Sequence, residues 1–185
     1  LFALGVWQDA DTVSEAMAAS PIFREQLFGP KTVVREAWGM SPVSRDGAFW
    51  STFALRATVA DVTACLKDEA RVYLTMINTP EEVIIAGDTA GCERMIHRLG
   101  CTAFRLPFNG VLHCDVVGVI YDAFVELHTL PVHEAPDIDF YSAVDCAPIR
   151  LDARSLAHNI GKTVSNRVDF PRIVDRVYGD DARIF

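Results

Sequence analysis

At 185 residues, 50% of them hydrophobic and 23% charged, the chain is long enough to bury a core as one domain or as a compact piece of a larger protein. Its net charge of −8 argues against a nucleic acid partner, whose phosphates need Lys and Arg. Its five cysteines form no Cys-x-x-Cys pair, which fits a reducing cytoplasm better than a disulfide framework, and no apolar run approaches the roughly 20 residues of a membrane span.

Leu1–Trp7 reads as the last turns of a buried helix. Asp9 or Asp11 is placed to cap a second helix carrying Val13, Ala16 and Met17 on one face, with Pro21 beyond its end. The stretch 22–46 mixes aromatic anchors with Gly29-Pro30, Gly39 and Pro42, and reads as an irregular connection with a short helix over Val33–Trp38. The core and end segments Leu1–Trp7 and Arg183-Ile-Phe185 give the expectation that the sequence is a piece excised from a longer protein.

The most ordered pattern runs from Trp50. Ser51–Ala57 alternates as a half-buried strand, and Thr58–Lys67 places Val59, Val62 and Leu66 on one helical face. Val72–Ile77 and Glu82–Ala86 are strands separated by an Asn78-Thr-Pro80 turn. Asp88 or Thr89 caps a helix with Cys92, Met95, Ile96 and Leu99 inward and Gly100 as its stop, and Ala103–Leu106 closes the unit. This βαββαβ order predicts a ferredoxin-like unit. Beyond it, the expected elements are a helix over 115–129, a strand over 138–143, a helix capped by Asp152, a helix opened by Phe170-Pro171, and a strand over Ala182–Phe185. Alternating helices and strands outside the unit predict an α/β sheet into which it is inserted. The division expected is 1–49 as part of the α/β body and connection, 50–107 as the ferredoxin-like subdomain, and 108–185 as the return to the body.

Chemistry concentrates in Leu106-Pro-Phe-Asn-Gly-Val-Leu-His-Cys-Asp115. His113 stands where a strand leaves the unit and a helix begins, and a helix N-terminus disfavours imidazolium. A neutral imidazole there is a candidate general base; the bland reading is a loop His that caps or packs. Cys114 reads as a small packed thiol, because adjacent residues at a helix start project apart. His97, His128, His133 and His158 lack the spaced partners of a zinc site, so no metal is expected. Thr79-Pro80-Glu81-Glu82 reads as turn and strand entry, and the glycines form no phosphate-cradling loop. No serine stands in a Gly-x-Ser-x-Gly elbow, so the base has no nucleophile within the chain.

Met76-Ile-Asn78-Thr-Pro80-Glu-Glu-Val83-Ile-Ile-Ala86-Gly87 resembles the Asn-x-Pro-x-x-Val stretch of malonyl-CoA:acyl-carrier-protein transacylases and polyketide-synthase acyltransferase domains. Phe108-Asn-Gly-Val-Leu-His113-Cys114 resembles that family's segment around its catalytic histidine, and Leu1–Trp7 the helix after its serine elbow. Ala19-Ser-Pro21, the Gly29–Gly47 connection and Phe108-Asn-Gly110 look most like the acyltransferases of polyunsaturated-fatty-acid and heterocyst-glycolipid synthases. The resemblance implies a partial α/β-hydrolase-like body with an inserted ferredoxin-like subdomain. It also implies transfer of an acyl group from coenzyme A, malonyl-CoA in much of the family, to the phosphopantetheine of an acyl carrier protein amid neighbouring synthase domains. No bound cofactor is implied. His113 inherits the role of base, the serine lies upstream of Leu1, and the isolated chain is expected to be inactive.

Three positions depart from the family. Its carboxylate-holding Arg falls near Ala19-Ser20, leaving Arg24, and less plausibly Arg35, as substitutes. The residue before the histidine is Leu112, and a frequent Gln appears as Thr163. Arg24, Asn109 and Leu112 are therefore the substrate-binding candidates, and the acyl group, malonyl or neutral, stays open. Two alternatives remain beside the enzyme fragment: a non-catalytic carrier-protein docking module, and a thiol or metal enzyme built on Cys114 and His113.

Overall fold

The computed structural model describes residues 1–41, 49–133 and 138–180. A five-stranded sheet organises them, in the order β4-β1-β3-β2-β5. Strands β1 (Trp50–Arg56), β2 (Val72–Thr79), β3 (Glu82–Asp88) and β4 (Ala103–Arg105) pair antiparallel, with Phe53 facing both Ile85 and Arg105 across the ladder. With α3 (Val59–Leu66) and α4 (Thr89–Leu99) they form the ferredoxin-like unit, and the 4-1-3-2 order of its strands follows. The β2–β3 connection is the expected turn, although β2 runs on to Thr79 and Asn78 donates Nδ2–H to Glu82 Oε1 at 3.0 Å.

Local chemistry fixes both helices. Thr58 Oγ1 accepts from Asp61 N–H at 3.2 Å at the start of α3, and Asp88 Oδ2 accepts from Gly91 N–H at 2.8 Å at the start of α4. Gly100, at φ 59°, ends α4 in the left-handed conformation that glycine adopts without penalty. Val62, Cys92 and Met95 then bury against Phe53, Leu55, Leu74, Ile77, Val83 and Ile85 on one sheet face.

The opposite face is also covered. Trp50, Tyr73 and Ala86 pack against Leu27, Val33, Val34, Val111, Cys114, Val117, Phe124 and Val164. Burial on both faces explains why β1 keeps so little polar alternation. A fifth strand lies outside the expected pattern. Val168-Asp169, β5, pairs parallel with Met76 and Ile77, and two residues are too short for periodicity to register.

Outside the sheet the chain departs further from expectation. Phe2–Leu4 is one 3₁₀ turn ended by Gly5 at φ 70°, with Val6 and Trp7 buried against Leu156. In α1 (Ala10–Ala19) no residue is buried: Val13 and Met17 are half-buried and Ala16 is exposed. The irregular connection contains a π-helical turn, Ile22–Leu27, closed by Phe28 N–H on Phe23 C=O at 3.1 Å, and then α2 (Thr32–Ala37).

The single helix expected over 115–129 is instead a 3₁₀ segment, Asp115–Ile120, followed by α5 (Tyr121–Leu127). Gly118 among the β-branched Val116, Val117, Val119 and Ile120 weakens the α-helical alternative. The strand expected over 138–143 reduces to one bridge between Tyr141 and Pro148, whose ring nitrogen has no proton to donate. Among the described residues no second sheet forms. The strand expected over Ala182–Phe185 lies outside the described residues.

Helix α6 (Ala153–Ser165) begins as expected, with Asp152 Oδ1 accepting from Ser155 N–H at 2.9 Å. Asp169 caps α7 (Phe170–Gly179), which carries Pro171 in its first turn and lies against β2. Among the described residues no helix is long and apolar enough to cross a membrane.

The fully buried Ile85, at the centre of the unit, supports a quantitative expectation. Ile85→Ala should destabilise the chain by about 2–5 kcal/mol in urea unfolding followed by circular dichroism. Val119→Ala, at 76% exposure, should stay within about 0.5 kcal/mol of the parent.

Candidate active site around His113

The loop that carries His113 is held from both sides. Val111 N–H donates to Leu27 C=O at 2.9 Å, tying the loop to the π-helical turn, and Val111 itself is fully buried. At Gly110 an added Cβ would fall 2.7 Å from a Phe28 ring carbon and 2.9 Å from one of Phe108, so only glycine lets the loop approach the two rings this closely. His113 then adopts φ 60°, a conformation costing a non-glycine residue roughly 1–2 kcal/mol.

Helix α6 supplies what offsets that cost. Its last carbonyls have no partner within the helix. His113 N–H donates to Val164 C=O at 2.6 Å, and the His113 ring donates Nδ1–H to Thr163 C=O, also at 2.6 Å. Asn166 Nδ2–H reaches Lys162 C=O at 2.9 Å. One histidine thus satisfies two orphan carbonyls. A carbonyl oxygen only accepts, so the short contact fixes the proton on Nδ1 and leaves the Nε2 lone pair free.

Burial lowers the His113 pKa below its ordinary 6.5, and the hydrogen bond to the Thr163 carbonyl partly opposes the shift. The physical origin differs from the expectation. Cys114 is the N-cap of a short 3₁₀ segment, while the His113 ring lies at the C-terminal end of α6, whose partial negative charge favours imidazolium. Desolvation, not a helix N-terminus, keeps the ring neutral.

Cys114 is 4% exposed, and burial followed by the nearby Asp115 carboxylate pushes its thiol well above the usual range. It is a packed thiol and no nucleophile at neutral pH. His128 is likewise structural: its Nδ1 meets Phe124 C=O at 2.7 Å and its ring stacks on Phe124 at 4.2 Å. The His158 Nδ1 lies 3.0 Å from the Tyr121 hydroxyl. Among the described residues no group of three or more His, Cys, Asp or Glu side chains is placed to hold a metal, and the five cysteines are unpaired.

The candidates from sequence fall in different places. Asn109, Leu112 and His113 share one loop. Asn109 is exposed and lines a cleft of about 310 Å³ with Ser51, Thr52, Arg105, Leu106, Pro107 and Phe108, while Leu112 is half-buried against the core that holds Val111 and Cys114. Arg24 stands on the exposed side of the Ile22–Leu27 turn, whose Leu27 is tied to Val111. Arg35 is 5% exposed and committed elsewhere, donating Nε–H to Pro30 C=O at 2.8 Å and Nη1–H to Ser41 C=O at 3.0 Å. Sequence reasoning missed the Thr163 contribution, because the contact uses its backbone carbonyl. The one available signal is its position in the last turn of a well-capped helix.

The lowered pKa sets the sign of two measurements. The His113 ring resonance should titrate below pH 6.5 in an NMR pH series, identified by its loss in His113→Gln. The unfolded chain binds that proton more readily, so the stabilising contribution of neutral His113 is complete above about pH 6.5 and is lost as pH falls from there through the lowered value.

No family model matches the chain. It is 28% identical over 192 residues to a polyunsaturated fatty acid synthase polypeptide of Thraustochytrium sp., covering 96% of this chain and 9% of that one. The crystal structure of FabD from Acinetobacter baumannii superposes at TM-score 0.69 with 16% identity, covering 98% of this chain and 55% of that one. A malonyl-transacylase in complex with its type II polyketide acyl-carrier protein superposes at 0.64 with 17% identity, covering 83% and 50%. The chain therefore spans less than a tenth of the curated relative and about half of these solved proteins, and across that span it has the α/β fold, with its ferredoxin-like unit, of the malonyl-transacylases and acyltransferase domains.

Proposed function

We propose that the chain is part of an acyltransferase that moves an acyl group from coenzyme A to an acyl carrier protein, with His113 as the base for a serine contributed by a segment preceding Leu1 in the full-length protein. The observation that carries this reading is the Nδ1–H bond to the Thr163 carbonyl, which leaves Nε2 as a proton acceptor on a half-buried ring with a strained backbone. The reading also draws on the transacylase fold and on the synthase relative. Within it the chain divides at 1–49, 50–107 and 108–185, with the ferredoxin-like unit inserted between two parts of the body.

In this mechanism Nε2 takes the serine hydroxyl proton as the oxygen attacks the thioester carbonyl. The imidazolium that forms is stabilised by the Thr163 carbonyl and by the C-terminal end of α6. The same proton returns to the departing coenzyme A sulfur, leaving the acyl ester on serine. The carrier's phosphopantetheine thiol then repeats the sequence: its proton goes to Nε2, its sulfur takes the acyl group, and the serine oxygen recovers the proton. No cofactor is required beyond the acyl-CoA substrate and the partner's phosphopantetheine. In this reading Leu112, half-buried next to His113 in the chain, is the apolar contact for the acyl group, and Asn109, which lines the neighbouring cleft, is its amide contact. Arg24, exposed beside the same loop, is the cation for a malonyl carboxylate; the buried, committed Arg35 is not.

The test uses the full-length protein with malonyl-CoA and with neutral acyl-CoA donors, read by intact mass and by transfer to carrier protein. His113→Ala should slow acylation of an upstream serine by about 10²–10⁴-fold. Arg24→Ala should weaken malonyl transfer and leave neutral donors unaffected. Unchanged transfer in His113→Ala would leave a carrier-docking module as the better reading.

A further inference from the structure

The cleft that Asn109 lines is a notch in the sheet edge, and it holds a cation that the mechanism above does not use. Strand β4 pairs with β1 only opposite Phe53, Ala54 and Leu55. Leu106 N–H still donates to Thr52 C=O at 2.9 Å, but Pro107 has no N–H to continue the ladder, and the pairing stops. Trp50 and Ser51 therefore have no β4 partner. The cleft of about 310 Å³ opens there, between Ser51 and Thr52 on one side and residues 105–109 on the other, the stretch that continues to His113.

The cation is Arg105. Its Nη2–H donates to Ser51 Oγ at 2.8 Å, and that hydroxyl, on a residue 2% exposed, lies 2.8 Å from Thr89 Oγ1. Among the described residues no carboxylate lies within ion-pair distance of Arg105, so an exposed guanidinium is held at the cleft with N–H donors to spare. Thr52 is 6% exposed and lines the same cleft, and its Oγ1 has no hydrogen-bond partner among the described residues. Buried hydroxyls are normally paired, so an orphan in a cleft wall marks a place for a ligand's polar group. Phe108, 47% exposed and set edge-on to Phe28 at 5.6 Å, adds an apolar wall.

We propose that this notch binds the phosphopantetheine arm, with Arg105 on its phosphate and Thr52 Oγ1 on a polar group further along it. The inference rests on the reading of the chain as moving an acyl group between coenzyme A and a carrier. Those two partners share this arm and little else, so one phosphate site serves both half-reactions. The arm carries phosphate at one end and the acyl-bearing sulfur at the other, and Arg105 and His113 stand in that order along one stretch of chain. A guanidinium forks onto phosphate oxygens with paired N–H bonds, and its anchor on Ser51 reduces the ordering that binding would otherwise cost.

The test compares Arg105→Gln with the parent in the full-length protein, using thioesters of 4′-phosphopantetheine and of pantetheine as donors, each with a malonyl and a neutral acyl group. The parent should show a KM about tenfold or more lower for the phosphorylated donors, and Arg105→Gln should remove that difference by raising their KM. The KM for the holo carrier protein should rise by a similar factor, and Arg105→Lys should recover part of both effects. An unchanged KM for the phosphorylated donors would overturn the proposal. So would an effect confined to malonyl donors, which would make Arg105 a carboxylate holder, or one seen with donors and absent with the carrier, which would rule out a shared site. Should Arg105→Gln fail to fold, Thr52→Val removes the orphan hydroxyl and should weaken binding of both free pantetheine and free 4′-phosphopantetheine several-fold; no loss overturns the proposal equally. These affinities, read by calorimetry on His113→Ala, need no turnover. Intact transfer in His113→Ala therefore removes the base reading, whereas equal affinity for the two free ligands removes the phosphate site.

Discussion

Two hydrogen bonds from one residue, His113 to the open C-terminal end of α6, are the constraint on which the rest of this structure depends. They join the loop leaving the ferredoxin-like unit to a helix that follows it much later in the chain, and they set the backbone, the tautomer and the burial of the imidazole together. Each effect follows from the others. The left-handed backbone at His113 brings N–H and Nδ1–H onto successive carbonyls, the carbonyl fixes Nδ1 as the proton carrier, and the burial that accompanies these contacts depresses the pKa. The helix end opposes that depression and so lowers the cost of charging the ring. An imidazole that rests neutral and tolerates a transient charge suits the proposed role of His113 in acyl transfer.

The sheet serves this arrangement from the other direction. Because both faces of β1 and β3 are covered, the ferredoxin-like unit is part of the core around His113 as well as an insertion with a core of its own. Val168-Asp169 extends the same sheet by a short parallel pairing directly after α6, so the helix that anchors His113 is itself anchored to β2. The His113 loop, α6, β5 and β2 form a closed circuit, and the contact of Tyr73 with the cluster holding Cys114 completes it.

The ferredoxin-like unit was legible in the sequence because most local signals agreed: Thr58 and Asp88 as caps, Gly100 as a stop, Pro80 as the break between two strands, and clean helical periods in α3 and α4, while β1, buried on both faces, alternates little. The part around it was less legible for identifiable reasons. A two-residue strand leaves no period, valine-rich turns around Gly118 tighten to 3₁₀, and Pro148 removes a donor from an otherwise strand-like run. The position of His113 was readable and the origin of its neutrality was not, since the ring's partner is a backbone carbonyl 50 residues away rather than the neighbouring helix start. Thr163 shows the same limit. Its side chain replaces a Gln of the resembled family, yet its hydroxyl bonds Asn159 C=O at 2.8 Å and the contact with His113 survives through the main chain. A side-chain departure there leaves the contact with His113 untouched.

The most direct measurement of the central claim is the tautomer of His113, read from the ¹⁵N shifts of its two ring nitrogens in a long-range proton–nitrogen correlation spectrum at neutral pH or above. The account predicts a single neutral form with the proton on Nδ1 and an unprotonated Nε2. A ring protonated on Nε2, or an averaged mixture of the two tautomers, would contradict it, because the lone pair that the proposed serine needs would then be turned toward α6.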